Sequence, residues 1–392
     1  MRRRRGPSFP STPIGNLQSP WRPAVGRRGM LETRPGGWTL DWWIGAEDQW
    51  HVPSSAPSGR VRQGLVRAAP VVETAVRVPG GEAVHRAYAV RAPDELVVVE
   101  VENRSRVPFA VALVMSSAGD VEQRDETIFT VDGAPALVFP RRPSQVAMTT
   151  GELAVLVFPL AHTATLRVGV PLDGLRHDAN LASLPSAEQV ANGWALHTRD
   201  AMRVVVPDER LQEGFEASCR FLLLFDVNRV PRTAKASLDE LLRTASSTWT
   251  WDGGDDPRAA AAFVAAVRDS LVREGKSSLE LLNVVPDSWL GQGVEVHDAP
   301  TRHGMLSYAV RWHGARPALL WELDRGRVRR RTSGRGTVTI TAPGLDPSWS
   351  TTEPAGEALL APVEPPGGLP KVYGAPPPAS GERVPDIGES FL

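Results

Sequence analysis

The chain has 392 residues, and this length predicts two or three domains at about 100–200 residues each. Its 44 Lys and Arg nearly balance 45 Asp and Glu, and the net charge of -1 removes the electrostatic argument for nucleic acid or an anionic membrane as partner. The single cysteine, Cys219, excludes internal disulfide bonds and a cysteine-based zinc site, whereas 12 Trp against 3 Tyr is an unusual excess.

The N-terminal residues 1–30 are predicted to be disordered, because they are rich in Pro, Gly, Ser and Arg and lack periodicity. The arginines at positions 2–5 resemble the start of a signal peptide, but a Pro-rich segment follows them instead of an apolar one. The most apolar later stretch, 153–170, is interrupted by Pro159, His162 and Arg167. A membrane-spanning helix needs about 20 apolar residues, so we expect a soluble, cytoplasmic protein without membrane contact.

Residues 31–206 have the pattern of an antiparallel β-sandwich. Short β-branched runs recur, for example at 71–78, 84–90 and 96–101. Turn signals such as Pro79-Gly80-Gly81 separate them. Several short strands at a spacing of roughly 8–12 residues, with such turns between them, are typical of a sandwich.

After Pro207 the apolar residues recur at the spacing of a helix instead of that of a strand, and residues 207–276 are predicted to be helical. Apolar residues at helical spacing indicate a first helix over 208–226, namely Leu211, Phe215, Cys219 and Leu222. A capping box formed by Ser237 and Glu240 starts a second helix, and Asp256-Pro257 starts a third, which ends at Gly275. The buried stripe of the third helix is predicted to be Phe263, Val264, Val267 and Leu271. Because Cys219 lies on an apolar helix face, it is interpreted as a core residue rather than a nucleophile.

A second β-region is predicted over residues 277–345, where strand-like runs and turn signals return. Residues 346–392 are rich in proline and are predicted to form a disordered linker or tether. The fold predicted from these segments is therefore mainly β, with two antiparallel β-sandwich domains joined by three or four α-helices.

Motifs for nucleotide binding and for common hydrolases are absent: the sequence contains neither GxGxxG after a strand nor GxxxxGK[ST], GxSxG or HExxH. Glu295 and His297 lie two residues apart and share a face of a predicted strand, with His303 and His313 nearby in sequence. Since no spacing among them fixes a ligand geometry, surface histidines are favoured over a metal site. We therefore expect no metal and no cofactor.

Tryptophan is concentrated at two places in the chain. Trp42, Trp43 and Trp50 lie close together among acidic residues, and Trp249 and Trp251 precede Asp252 and Asp255. Sugars stack their apolar C–H faces on flat rings while carboxylates bind their hydroxyls, so mixed Trp and acid clusters suit carbohydrate binding. The alternative is core packing, which the spacing alone favours. The candidate ring platforms for a sugar are Trp42, Trp43, Trp50, Trp249 and Trp251.

Residues 279–293, LELLNVVPDSWLGQG, resemble the junction of six-hairpin-toroid glycosidases of the glycogen-debranching and rhamnosidase-like type, with its pattern LLP-x-LP-x-x-W. Residues 303–314 are similar to the first hairpin of the sandwich that follows this junction. Residues 38–45 resemble the N-terminal sandwich that precedes the toroid. The resemblance implies a glycosidase-like architecture and a carbohydrate as ligand.

The helical part departs from this family, because a toroid of twelve helices needs roughly 200 residues. Only about 70 residues lie between Pro207 and Gly275, enough for three or four helices. Glycosidic hydrolysis requires two carboxylates across the sugar. Asp252, Asp255 and Asp256 lie where one rim loop of the toroid is expected and are weak catalytic candidates, but no second carboxylate can be assigned.

The sequence therefore predicts a truncated, glycosidase-like protein that binds an oligosaccharide or polysaccharide and lacks hydrolytic activity. Two alternatives stay open. One is an active glycosidase that uses the shortened helical region, also as a dimer. The other is a structural or adaptor protein with both termini as tethers. The apolar stripe of the incomplete helical segment also predicts a homodimer through that segment.

Overall fold

A computed structural model of the chain describes residues 11–34, 36–91, 93–149, 153–175, 180–227, 240, 257–326 and 337–363. Over these residues the protein is mainly β, as predicted, with four sheets and three helices. The helices are α1 (Ala187–His197), α2 (Glu209–Leu224) and α3 (Pro257–Leu271). All strand pairs of the described residues are antiparallel except one in the fourth sheet.

The first two sheets contain eight strands each and come from the first half of the chain. Their strands are β1 (Ser11–Pro13), β2 (Ala24–Gly26), β3 (Leu31–Glu32), β4 (Thr39–Gly45), β5 (Trp50–His51), β6 (Val61–Leu65), β7 (Val71–Val78), β8 (Gly81–Val90), β9 (Leu96–Asn103), β10 (Phe109–Ser116), β11 (Val121–Gln123), β12 (Ile128–Val131), β13 (Ala134–Val138), β14 (Gln145–Thr149), β15 (Leu153–Leu160) and β16 (Thr165–Pro171). The first sheet has the order β1-β2-β3-β4-β10-β15-β14, with β5 paired to β4. The second has the order β11-β12-β13-β16-β9-β8-β7-β6.

The largest core cluster contains side chains of both eight-stranded sheets. In β4, Leu40, Trp42 and Ile44 belong to this core, and in β10 the alternate residues from Phe109 to Met115 do so. Successive side chains of a strand point to opposite faces, so Asp41 and its alternate neighbours form the outer face of the first sheet. Burying each large apolar side chain of such a core stabilises the fold by about 1.5–3 kcal/mol.

Helix α1 packs on the outer face of the second sheet, where Trp194 joins a cluster with residues of β8 and β9. A buried ion pair and its hydrogen bonds hold the segment before α1 on the same face. The buried Glu100 accepts a hydrogen bond from the Tyr88 hydroxyl at 2.7 Å and lies 2.6 Å from a guanidinium nitrogen of Arg167. Arg167 also donates to the carbonyl of Leu184 at 3.0 Å. Burial and the neighbouring carboxylate raise the pKa of Tyr88, which keeps its hydroxyl protonated as a donor.

The second half of the chain forms two smaller sheets. Their strands are β17 (Arg203–Val205), β18 (Val272–Glu274), β19 (Ser278–Leu281), β20 (Val294–Thr301), β21 (Gly304–His313), β22 (Arg316–Asp324), β23 (Thr339–Ala342), β24 (Asp346–Thr351) and β25 (Ala355–Leu359). The third sheet has the order β17-β20-β21-β22-β25, and the fourth has the order β18-β19-β23-β24. Helices α2 and α3 share one core cluster with both of these sheets, and the fully buried Trp289 belongs to it.

The predicted helix over 208–226 is confirmed as α2, and the Asp208 carboxylate caps it by accepting from the backbone N–H of Leu211 at 2.9 Å. The third predicted helix is confirmed as α3, but it ends at Leu271 rather than at Gly275, because the chain continues directly into β18. Cys219 packs against the core cluster of α2 and α3, as interpreted from its spacing. Burial raises the pKa of its thiol to about 12. The helix predicted from Ser237 lies, apart from residue 240, outside the described residues.

The predicted N-terminal disorder is wrong from residue 11 onward. Strands β1 and β2 form there, and Ile14 and Val25 are fully buried in the large core. The Pro, Gly and Arg content hid this because β1 and its following residue contribute only Ile14 to the core, and β2 contributes only Val25. Residues 1–10 lie outside the description.

The predicted disorder of 346–392 is wrong over β24 and β25. Strand β25 pairs with β22 along the third sheet, and Leu360 after it is buried. The Asp346 carboxylate holds the two ends of this segment together by accepting from the backbone N–H groups of Ser348 and Ala361.

Helix α1 was also not predicted, since residues 31–206 were interpreted as strands throughout.

A histidine lies inside the large core. His85 of β8 is 1% exposed and stacks on Trp42 with ring centroids 5.0 Å apart. Its Nδ1 has no hydrogen-bond partner among the described residues. Burial, with a smaller contribution from the charge of Arg86, lowers the pKa of His85 from 6.5 to about 3. The imidazole is therefore neutral in the folded protein above that pH.

This buried imidazole predicts a loss of stability in mild acid. Below pH 6.5 the imidazole of His85 binds a proton in the unfolded chain but not in the folded one. The free energy of unfolding therefore falls as the pH is lowered from 6.5 toward 3. The slope from this group approaches about 1.4 kcal/mol per pH unit. In the variant His85→Phe, which keeps a ring against Trp42, urea unfolding at pH 6.5, 5.5 and 4.5 should show a shallower slope.

The control is Phe129→Leu, which changes a buried aromatic residue of the same core and no titratable group. Its slope should match that of the unmodified protein. Equal slopes for His85→Phe and the unmodified protein would contradict the prediction.

Candidate functional site

The β4–β5 hairpin carries two tryptophans on the outer face of the first sheet. Trp43 and Gly45 alternate with the core residues of β4, and Trp50 is directly opposite Gly45 in the pairing of β4 with β5. The indole of Trp50 lies over Gly45, since a Cβ atom built on Gly45 comes within 3.0–3.1 Å of its six-membered ring. Trp50 is 48% exposed and Trp43 is partly exposed. Both rings are thus accessible from one side of the protein.

A carboxylate is held beside Trp43. The Asp41 Oδ2 accepts from the indole Nε1 of Trp43 at 3.2 Å and from the Ser54 hydroxyl at 3.0 Å, while its Oδ1 accepts from the Trp42 backbone N–H at 2.9 Å. These three donors fix both the acid and the orientation of the Trp43 ring. Asp41 is partly exposed, so its remaining lone pairs are available to a hydroxyl of a ligand.

A second carboxylate lies on the turn that leads to Trp50. The Asp48 Oδ1 is 2.9 Å from Nε2 of His51, whose side chain is buried against the hairpin. The hydrogen bond from His51 lowers the pKa of Asp48, so this carboxylate is ionised at neutral pH. Asp48 is exposed, but the His51 side chain that it contacts points to the core side of the hairpin, since His51 pairs with Ile44 and alternates with Trp50. The outer face therefore presents two rings and the carboxylate of Asp41, a composition that can stack and hydrogen-bond a sugar.

The prediction that Trp42 is a ring platform is wrong. Trp42 is 1% exposed in the large core, and its Nε1 donates to the backbone carbonyl of Arg28 at 3.0 Å. Adjacent residues of a strand point to opposite faces, so Trp42 and Trp43, both of which were predicted to be platforms, cannot lie on the same surface. The core residues on either side, Leu40 and Ile44, share the face of Trp42.

The second tryptophan cluster and its acids lie outside the described residues, namely Trp249, Trp251, Asp252, Asp255 and Asp256. The ring platforms and acids predicted there stay predictions.

Glu295 and His297 do share a face, with a carboxylate oxygen 3.1 Å from Nε2, but Glu295 also pairs with Arg311 at 2.6 Å. No group of three or more metal-ligating side chains occurs among the residues that the structure describes. The two residues therefore form part of a surface ion-pair cluster on the third sheet.

Sequence reasoning missed the surface that surrounds the two tryptophans. The neighbouring strands β10, β15 and β14 present mostly small apolar side chains on the same outer face as Trp43. Ala112 lies directly opposite Trp43, and Val157 lies opposite Ala112 on the far side. We call the outer residues of β4, β10, β15 and β14, together with Trp50, the tryptophan face. The available signal was the alternation of larger core residues with smaller outer ones in 109–116.

No protein-family model matches the chain, and no curated protein sequence matches it. None of the described helices is both long enough and apolar enough to cross a membrane. The geometry of the tryptophan face is consequently the main basis for inferring a function.

The contact between Trp50 and Gly45 predicts how this ring can be displaced. In the variant Gly45→Val, the new side chain collides with the indole and should push it into solvent. Quenching of tryptophan fluorescence by acrylamide should then increase, and the increase should vanish when Trp50→Phe is added. The matched control is Gly64→Val in strand β6, where an added Cβ atom meets nothing within 4 Å. If the two valine variants quench alike, the indole does not rest on Gly45.

Proposed function

We propose that the protein binds carbohydrate through Trp43 and Trp50 and has no hydrolytic activity of its own. The observation that carries this proposal is the pair of accessible indoles on one hairpin, with the carboxylate of Asp41 hydrogen-bonded to the Trp43 ring. Flat rings bind the C–H face of a sugar at little entropic cost, and carboxylates accept hydrogen bonds from its hydroxyls.

The proposed architecture is that of a truncated glycosidase-like protein. Its first two sheets would pack face to face as one sandwich, which the shared core cluster supports, and the helices would link it to a smaller C-terminal sandwich. The contacts of α2 support such a link. Its Leu224 joins the cluster under α1, and its Phe215 joins the C-terminal cluster. A chain of this kind keeps the sandwiches of the family it resembles and lacks most of the toroid.

The absence of hydrolysis is proposed because the helical segment is too short for a toroid, and inverting hydrolysis requires an acid and a base about 6.5–9.5 Å apart across the substrate. The open alternative of an active glycosidase would rely on Asp252, Asp255 or Asp256. The homodimer predicted through the helical segment stays a prediction. Leu223 of α2 is an apolar residue of that segment and is 41% exposed.

The proposal predicts that binding of soluble oligosaccharides depends on Trp50. Titration of the full chain with malto- and cello-oligosaccharides should change its tryptophan fluorescence, and Trp50→Ala should weaken binding at least tenfold. That ratio corresponds to about 1.4 kcal/mol, within the range expected for loss of a stacked ring. The control is Trp312→Phe, which changes a partly exposed tryptophan of the third sheet. A response that survives Trp50→Ala, or no response to any sugar, would refute the proposed site.

A separate assay tests the lack of hydrolysis. Incubation with starch, glycogen and trehalose should release no reducing sugar above the background of heat-denatured protein. Turnover that is abolished in Asp255→Asn or Asp256→Asn would replace the binding proposal with the glycosidase alternative.

A further inference from the structure

Strand β14 (Gln145–Thr149) differs from the other strands that lie at the ends of the described sheets. Along the strand orders given above, the four sheets end in eight strands. Seven of these carry a charged side chain or a proline, namely Pro13 of β1, Arg62 of β6, Glu122 of β11, Arg203 of β17, Arg273 of β18, Pro347 of β24 and Glu357 of β25. Such residues keep an unpaired edge from pairing with another chain. Among these eight strands, β14 alone has neither a charge nor a proline.

The side chains of β14 are open to water on both sides of the sheet. Val146 and Met148 point to the core side, because they lie opposite Leu156 and Ala154 of β15, which belong to the large core. Val146 is nevertheless 38% exposed and Met148 43% exposed. The other three residues of the strand are exposed as well. This end of the first sheet therefore leaves two inward-pointing apolar side chains and a strand edge uncovered.

We propose that β14 pairs with β14 of a second copy of the chain, antiparallel and centred on Ala147, to form a symmetric dimer. In this register Val146 lies opposite Met148 of the other copy, and Gln145 lies opposite Thr149 of the other copy. Residues directly opposite each other share a face of the sheet, so apolar side chains meet on the core side and polar ones on the outer side. The strand has no charge that would face a like charge in its copy. It is therefore complementary to itself.

The pairing is expected to stop at two copies. A contact between identical surfaces closes by its two-fold symmetry, whereas a contact between different edges produces an open filament. The opposite end of the first sheet is β1, which contains Pro13 and so lacks one backbone N–H for an added strand.

This dimer differs in its contact from the homodimer predicted through the helical segment, and it does not depend on the proposed carbohydrate site. A strand of five residues is only about 17 Å long, which makes the contact smaller than a standard interface of about 800 Å² per partner. We therefore expect a reversible dimer whose population rises with protein concentration.

Cysteine cross-linking of the full chain tests the register. In Ala147→Cys the two new thiols lie directly opposite each other, at a Cβ separation of about 4.5–5.5 Å, close to that of a disulfide bond. Incubation with oxidised glutathione should therefore give a covalent dimer on a non-reducing gel. The unmodified protein should give none, because its single cysteine, Cys219, packs against the core cluster of α2 and α3.

The matched controls are Gln145→Cys and Thr149→Cys on the same strand. In the proposed register each of these positions is about 14 Å from its own counterpart in the other copy, so neither variant alone should cross-link. An equal mixture of the two should cross-link, since position 145 of one copy lies opposite position 149 of the other. If all three single variants cross-link equally, the contact has no defined register and the proposal is overturned.

Sedimentation velocity over a range of protein concentrations distinguishes this dimer from one formed through the helical segment. Val146→Lys adds a charge at an exposed position of β14 and should raise the dissociation constant of the dimer at least tenfold. Leu223→Lys adds the same charge at an exposed position of α2 and should leave that constant within twofold of the unmodified protein. The reverse result would place the contact on the helical segment and refute the pairing of β14. A protein that stays monomeric at every concentration, with no cross-link in Ala147→Cys, would also refute it.

Discussion

The two-residue period of strand β4 decides where both the core and the candidate site lie. Its backbone can place only every second side chain inside, so burial of Leu40, Trp42 and Ile44 forces Asp41 and Trp43 outward. A slip of one residue in its pairing with β10 would exchange the two indoles and leave Asp41 in the core. The unpaired burial of that carboxylate would cost far more than the exchange of rings would recover. The same apolar contacts that stabilise the core therefore hold Trp43 at the surface.

The outer faces of the two large sheets are stabilised by different interactions. The charged face of the second sheet is stiffened by side chains that cross from strand to strand, and its Glu100 also orders the segment before α1 through Arg167. Breaking a buried pair of this sort leaves one charge uncompensated, so the attachment of α1 depends on both partners. The tryptophan face is instead held by backbone pairing and the core beneath it.

An element could be predicted from the sequence when several of its residues repeated the same pattern of buried and exposed positions. Helix α2 was recognisable because Leu211, Phe215, Cys219 and Leu222 repeat its buried side over the whole length. Helix α1 buries only Ala187, Ala191 and Trp194, and its capping box at Ser186 was the one strong local sign. The strands within 11–30 contribute isolated aliphatic residues whose burial depends on partners far along the chain. At the site, Trp42 and Trp43 were both predicted to be platforms, because the clustering of tryptophans shows nothing of which one the core buries. The pairing of β10 with β15, which assembles the tryptophan face, is a tertiary contact that no local pattern contains.

Placing the proposed sugar site on a sheet rather than on loops has a physical reason. Catalysis on a glycosidic bond needs acids that surround the substrate and exclude water, which a concave rim of loops provides and an open sheet does not. Binding by stacking needs the opposite arrangement, namely rings already oriented before the ligand arrives, so that little side-chain entropy is lost. Trp43 is oriented by Asp41, and Trp50 by its contact with Gly45, so both rings meet this requirement. Preorganised rings of this kind suit binding rather than catalysis, because none of their contacts has to be made only in a transition state.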